Sequence, residues 1–300
     1  MRQQHADYRV VPYTKYQRFA ASAYRTVRHT PTIHGLFEVD VTRARTALRE
    51  HKARTGESLS FTAFLTTCLA KAVEEDRSLQ AFRYGGKHLA LFDDVDITTR
   101  IEREVEGRKS VLPYIIRAAN HKTFRQQHDE IRAAQVAGMS GVLTRSQMLS
   151  FRLFSNLPMP LYHLFFWTFS VVARRRPWLW KQTMGTVGIT SVGMFGAGGG
   201  WGIPTATPNA LTMTVGGIDE KQIIVDGRPT TREYLSLTIS VDHDIVDGAP
   251  AARFTRRLKE LIESGYGLDG LVVHDGAPVV SEQARQAAGA PSQTVDAARA

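Results

Sequence analysis

Hydrophobic and polar positions alternate most cleanly in "YLSLTISVD" (234–242), where Leu235, Leu237, Ile239 and Val241 share one face and Ser236, Thr238 and Ser240 the other. A period of two over that length predicts a strand. Beyond it the period changes to that of a helix. From Pro250, a residue suited to a first helical turn, Phe254, Leu258, Leu261 and Ile262 fall on one inner side.

The rest of the chain reads by the same two periods. "HGLFEVDVT" (34–42) alternates as a strand, and Thr42 is placed to cap a short helix in "RARTALREHKA". Ser60 is placed to cap "SFTAFLTTCLAKAVEED", a helix with Phe61, Phe64, Leu65, Cys68, Leu69 and Val73 on one side. "AFRYGGKHLALFDDVDITTRIERE" predicts strand, Gly-Gly turn, strand and a third strand from about Val95. "RKSVLPYIIRAAN" is extended, and "KTFRQQHDEIRAAQVAG" is an amphipathic helix ended by Gly138. "GTVGITSVG" (185–193) predicts a strand leading into the glycine cluster of "MFGAGGGWGIPTATP", with "ALTMTVGGI" and "KQIIVDG" as two further strands. No internal repeat interrupts this order.

The segment 143–184 differs. It is rich in aromatics, carries Arg174, Arg175 and Arg176 in a row, and its longest apolar run, Leu161 to Ala173, is too short to span a bilayer. Two readings compete: a basic, Trp-flanked helix lying on a membrane surface, or a helix packed on the domain or a neighbouring subunit. Packing is favoured, because apolar helices usually belong to a core. After Gly276 the chain lacks aromatics and periodicity, so 277–300 reads as a disordered tail.

Composition narrows the class. With 300 residues and 43% hydrophobic content the chain can bury a sizeable core. A net charge of +9 asks for an anionic counterpart. No nucleic-acid recognition motif accompanies it, which leaves a phosphate-bearing ligand or a protein partner first in line. Cys68 is the only cysteine, excluding an internal disulfide and a cysteine-based metal site. It reads as a small core hydrophobe. The start "MRQQHADYRVVPYTKYQRF" has no apolar signal core, so the expected location is the cytoplasm.

Candidate chemistry gathers where the cleanest strand ends. "SVDHDIVDGAPAARF" sets His243, Asp247 and Gly248 between strand and helix. A neutral histidine is a natural general base near pH 7. Asp247 can anchor the turn, and Gly248 permits a tight bend. Such a triplet alone is weak, since ten histidines give it many chances to arise.

Four stretches in order make it specific. "HGLFEVDVTRARTALRE", "LSFTAFLTTCLAKAV", "GTVGITSVGMFG" and "LSLTISVDHDIVDGAPAARFTRRLKELIE" resemble the catalytic domain of the 2-oxoacid dehydrogenase acyltransferases, the dihydrolipoamide acyltransferases, over roughly residues 12–267. The resemblance implies an α/β fold of the chloramphenicol acetyltransferase-like type, two layers with a mixed sheet flanked by helices. One catalytic domain is expected over 1–276, with 143–184 as an apolar insertion.

The resemblance also implies roles. His243 would deprotonate a thiol, of coenzyme A or a dihydrolipoamide-like acceptor, for attack on an acyl thioester. The serine hydroxyl that stabilises the family's oxyanion is matched here by Thr190, with Ser191 as the backup if the register slips by one. Asp247 and Gly248 would hold the loop, and an N-terminal arginine, here Arg18, would pair with Asp247. His34 is a lesser candidate near the substrate channel, and the glycines of 196–202 are candidates to admit a pantetheine arm. Coenzyme A enters as substrate, with no metal and no covalent lipoyl group expected on this chain.

A homotrimer is implied, with each site between subunits and a larger cubic assembly open. No lipoyl or subunit-binding domain is visible, so the acyl carrier would come in trans. Nucleic acid is not expected, and peripheral membrane contact is the lesser alternative to packing. The family usually has arginine after the histidine, whereas this chain has Asp244. The alternative function is a catalytically silent trimeric scaffold that organises partner proteins.

Overall fold

The alternating segment is β8 (Arg228–Asp242), and its neighbours build one sheet around it. On one side it pairs antiparallel with β1 (Thr32–Asp40), on the other with β7 (Leu211–Val225). Next come β6 (Val187–Ser191) and β4 (Ile97–Val105), both parallel to their inner neighbours, and then antiparallel β5 (Arg108–Ile116). The sheet is therefore mixed, in the order β1-β8-β7-β6-β4-β5, with β2 (Phe82–Tyr84) and β3 (His88–Ala90) as a separate hairpin. This computed structural model describes residue 21 and residues 30–105, 108–136, 159–192, 198–205 and 207–271. Arg18, Gly138 and the 277–300 tail lie outside the described residues.

The apolar face of the sheet carries Leu235, Leu237, Ile239 and Val241 of β8 beside Leu211 and Met213 of β7 and Val187 and Ile189 of β6, all buried. They join one core with α1 (Thr42–Thr55), α2 (Phe61–Glu75), α3 (Phe124–Val136) and α6 (Gly248–Ser264). Burying each such side chain contributes about 1.5–3 kcal/mol. The predicted inner face of α6 is the observed one, Phe254, Leu258, Leu261 and Ile262. Ser60 caps α2 as expected, its Oγ accepting the Ala63 N–H at 3.2 Å. Cys68 is buried in the same core.

Two local expectations need correction. Thr42 is not a cap: it is the first helical residue of α1, and its hydroxyl instead accepts the Glu233 N–H at 2.8 Å. A strand backbone beside it offered a better-placed donor than its own helix did. "ALTMTVGGI" and "KQIIVDG" are not two strands but the single long β7, because Gly216 and Gly217 form an irregularity between Val215 and Ile218 rather than a break. The chain bulges there and then resumes pairing with β8.

The other face of the sheet is mostly polar, and its hydroxyls on β7 and β8 (Thr212, Thr214, Ser236, Thr238 and Ser240) are buried all the same. The register aligns Thr98, Gly188, Thr212, Ser240 and His34 in one row and Thr190, Thr214, Thr238 and Leu36 in the next. Residues 198–205 and 207–209 of the glycine-rich segment lie over it. Gly217 N–H donates to Gly200 O at 2.9 Å, Gly200 N–H to Ser236 Oγ at 3.3 Å, and the hydroxyls of Thr207 and Thr212 are 2.8 Å apart.

The 143–184 segment supplies α4 (Met159–Arg175) and α5 (Pro177–Met184). Ala173 is fully buried, and Phe169 meets Trp180 edge-on at 5.0 Å. Leu161, Leu164, Trp167, Val171 and Val172 point outward and are exposed, so only part of this apolar helix packs on the described residues. Among the described residues no helix is long and apolar enough to cross a membrane.

The close stacking of loop on bulge is testable. A Cβ on Gly216 would lie 2.1 Å from Gly200 O, whereas one on Gly248 meets nothing within 4 Å. Gly216→Ala is expected to lower unfolding free energy by about 1–3 kcal/mol in urea titration. Gly248→Ala should cost nothing; equal losses in both would refute the stacking.

Candidate functional site

The site is built outward from the end of β8. Asp242, the strand's last residue, donates its N–H to Ala210 O at 2.9 Å, and its own carbonyl accepts from Ile245 and Val246 at 3.0 and 2.9 Å. Its Oδ1 accepts the Asp244 N–H at 3.1 Å. The chain thus wraps around Asp242, and His243 sits at the outside of the wrap. The His243 N–H donates to Pro31 O at 2.8 Å, which ties the turn to the start of β1. The imidazole itself is exposed and makes no hydrogen bond among the described residues. The backbone of His243 is thus tied down while its ring nitrogens remain open to a proton donor from outside the turn.

Asp242 is 8% exposed, and burial pushes its carboxyl above the ordinary aspartate range. The Arg83 guanidinium, from β2, opposes that shift and bonds directly to Asp242 Oδ2. Arg83 also lies 3.0 Å from Asp244 Oδ2. The negative charge introduced at Asp244 is therefore answered by a cation from a separate hairpin. Sequence reasoning did not nominate Arg83 or Asp242; no motif surrounds Arg83, and its partners are 159 and 161 positions away.

Asp247 and Gly248 stand at the start of α6. Asp247 is its N-cap by backbone conformation, with its carbonyl accepting the Ala251 N–H at 3.2 Å and no side-chain cap bond. Its carboxylate has no partner among the described residues, and Arg18 lies outside them. The tight bend expected at Gly248 occurs instead at 242–246, while Gly248 begins the helix without a positive φ. The backbone hydrogen bonds to Asp242, not a glycine, make the turn.

Thr190 is placed by the other half of the sheet. Arg117 donates to Asp96 Oδ2, Lys181 O and Gln182 O at 2.8, 2.8 and 2.6 Å, and Asp96 O accepts from Thr186 N–H at 2.7 Å. Gly185, at φ 66°, allows this approach, since a Cβ there would lie 2.7 Å from Asp96 O. β6 then starts in fixed register. Thr190 falls in the row with Thr214 and Thr238, on the polar face and half-buried. Ser191 is exposed and aligns with Val215, in the row of Leu237. The hydroxyls of Thr214 and Thr238 are buried without a hydrogen-bond partner among the described residues.

His243 and Thr190 do not meet within one chain. Thr190 is aligned with Thr238, two strands away and five residues short of His243. Strand spacing and rise put them roughly 19 Å apart. His34 is nearer the turn, exposed on β1, with Nδ1 2.8 Å from Ser240 Oγ. Of the 196–202 cluster, Gly198 to Gly200 lie close against the β7 backbone at Gly216 and Gly217, and 196–197 lie outside the described residues. Among the described residues no cluster of three metal-ligating side chains occurs.

Comparison with known proteins gives a family match over part of the chain. Residues 180–268, which hold both Thr190 and His243, match the family described as 2-oxoacid dehydrogenases acyltransferase (catalytic domain). The chain is 23% identical, over 82% of its length and 50% of the relative's, to the lipoamide acyltransferase component of the branched-chain alpha-keto acid dehydrogenase complex of Bacillus subtilis. It is 39% identical over 83 residues, 27% of this chain and 15% of the relative, to the dihydrolipoyllysine-residue acetyltransferase component of the pyruvate dehydrogenase complex of Acholeplasma laidlawii. The chain spans about half the length or less of these curated relatives.

Among solved structures it is similar to a probable dihydrolipoamide acetyltransferase from Listeria monocytogenes, with TM-score 0.62 and 21% identity over 90% of this chain and 98% of that one. The cubic core of a pyruvate dehydrogenase multienzyme complex gives TM-score 0.62 and 20% identity over 89% and 96%. The expected fold, an α/β domain with a mixed sheet flanked by helices, is thereby established.

The lone thiol separates core from chemistry. Cys68 is fully buried, and burial pushes its thiol well above the ordinary cysteine range. A disulfide thiol reagent is expected to leave it unmodified in the native protein and to react stoichiometrically in denaturant. Fast native labelling would place Cys68 at a reactive surface instead.

Proposed function

We propose that this chain, which has the catalytic-domain fold of the 2-oxoacid dehydrogenase acyltransferases, transfers acyl groups between coenzyme A and a thiol acceptor of the dihydrolipoamide type. The observation that supports the reading is a solvent-facing His243 on a fixed backbone together with a hydroxyl, Thr190, on the polar face of the adjoining sheet, both inside the stretch 180–268 that matches the family. His243, as neutral imidazole, takes the thiol proton. The thiolate sulfur forms a bond to the thioester carbonyl carbon, whose π electrons move to oxygen. Thr190 donates its hydroxyl hydrogen bond to that oxyanion. Collapse expels the second thiolate, which recovers the proton from the imidazolium.

A separation of roughly 19 Å, from strand spacing, prevents one copy from supplying both groups to one substrate. We therefore assign the site to the junction of two copies in a homotrimer, with one chain giving the histidine and its neighbour the hydroxyl. Further assembly of trimers into a cubic core fits the same fold. The acyl carrier comes from another chain, the basic surface suits the phosphates of coenzyme A, and we place the protein in the cytoplasm.

Thiol release from a panel of acyl-CoAs, with dihydrolipoamide as acceptor, tests the chemistry. His243→Ala is expected to lower kcat about 10²–10⁴-fold. Wild-type rates in that variant would remove the general base, and absence of both turnover and coenzyme A binding in the wild type would favour the silent scaffold.

The shared site has its own test. Thr190→Ala should lower kcat about 10²–10³-fold. Co-refolding inactive His243→Ala with inactive Thr190→Ala subunits should restore activity, because some junctions then receive both wild-type groups. No restoration in a mixed oligomer would refute a site between copies.

A further inference from the structure

The turn after β8 holds carboxylates on both sides of His243, at Asp242 and Asp244. Two like charges so close repel, and Asp242 is in addition largely withdrawn from water. A buried charge of this kind is tolerated only with a partner. Both carboxylates reach one guanidinium: Arg83 Nη2 bonds to Asp242 Oδ2 and lies 3.0 Å from Asp244 Oδ2.

Arg83 comes from outside the main sheet. Its strand, β2, is anchored by Phe82, which is buried and meets Phe92 edge-on at 5.9 Å. The guanidinium is thus delivered from a fixed base to a turn that no other described cation bridges in this way. Asp242 in turn receives the Asp244 N–H on its side chain and the Ile245 and Val246 N–H groups on its carbonyl. With no hydrogen bond on the imidazole itself among the described residues, the backbone of 242–246 sets the point and the Cα–Cβ direction from which the His243 ring extends.

We infer that Arg83 is a positioning residue: by bridging Asp242 and Asp244 it fixes the turn that aims His243, acting through the backbone and not on a substrate. Its catalytic consequence rests on the proposed role of His243 as base. The bridge itself does not. A planar fork that serves two carboxylates at once is a task for arginine, which lysine, a point charge on a flexible stem, performs only in part.

The test uses full-length wild type, Arg83→Gln and Arg83→Lys. Steady-state kinetics, thermal unfolding and backbone amide exchange across 236–250 are measured on each. In Arg83→Gln, kcat is expected to fall about 10–100-fold, as for a misplaced catalytic group, with KM changed less than about twofold. Exchange should accelerate at the amides of 243–246 alone, and Arg83→Lys should recover part of both kcat and protection.

Wild-type kcat and exchange in Arg83→Gln would overturn the inference. So would a loss of kcat accompanied by a lowered unfolding midpoint and faster exchange throughout the chain, because that pattern describes general destabilisation. Exchange is read without substrate. If the wild type transfers no acyl group, the general-base reading fails by itself. Faster exchange confined to 243–246 would then still uphold the bridge, and unchanged exchange would sink it.

Discussion

Over residues 235–242, strand β8 is hydrogen-bonded along both edges and buried on both faces, and the placement of the candidate base depends on that confinement. Its apolar face belongs to the helix-backed core. Its hydroxyl face lies under the glycine-rich segment, which approaches closely because Gly216 and Gly217 present no Cβ. A strand held from four sides cannot slip by one residue without exchanging Leu237 and Ile239 for Thr238 and Ser240 in the core. Whatever the chain builds at Asp242 and His243 therefore inherits a fixed position.

The same sheet fixes the second candidate group and keeps it apart from the first. β6 is parallel to β7 and antiparallel to β8 through it, so the register that aligns Thr190 with Thr238 also carries His243 away from it. One rigid sheet cannot bring its own two ends together. The separation is thus a property of strand direction, and it gives the junction between copies its part in the proposed mechanism.

Charge at the turn is arranged in space. An aspartate after the histidine looks, along the chain, like an unanswered negative charge. Arg83 answers it from a small hairpin, together with the more deeply buried Asp242. The net +9 charge of the chain offers no guide to this pairing. What matters is the position of one guanidinium, and β2 fixes that through the burial of Phe82.

The sequence by itself determined the period-two strand and period-3.6 helix on either side of His243, the Ser60 cap, the Gly-Gly hairpin and the buried state of Cys68. Each depends on residues within a few positions of one another, so local sterics and periodicity suffice. Tertiary structure decided the rest. It made β7 continuous across Gly216 and Gly217, diverted the Thr42 hydroxyl to Glu233, turned the chain around Asp242 instead of Gly248, and delivered Arg83 to Asp244. Alternation told that β8 has two different faces, but not that both are covered. That difference is physical: a covering loop and a bridging cation act through space between residues far apart in the chain, and no local pattern of hydrophobic and polar residues records which distant segment will arrive.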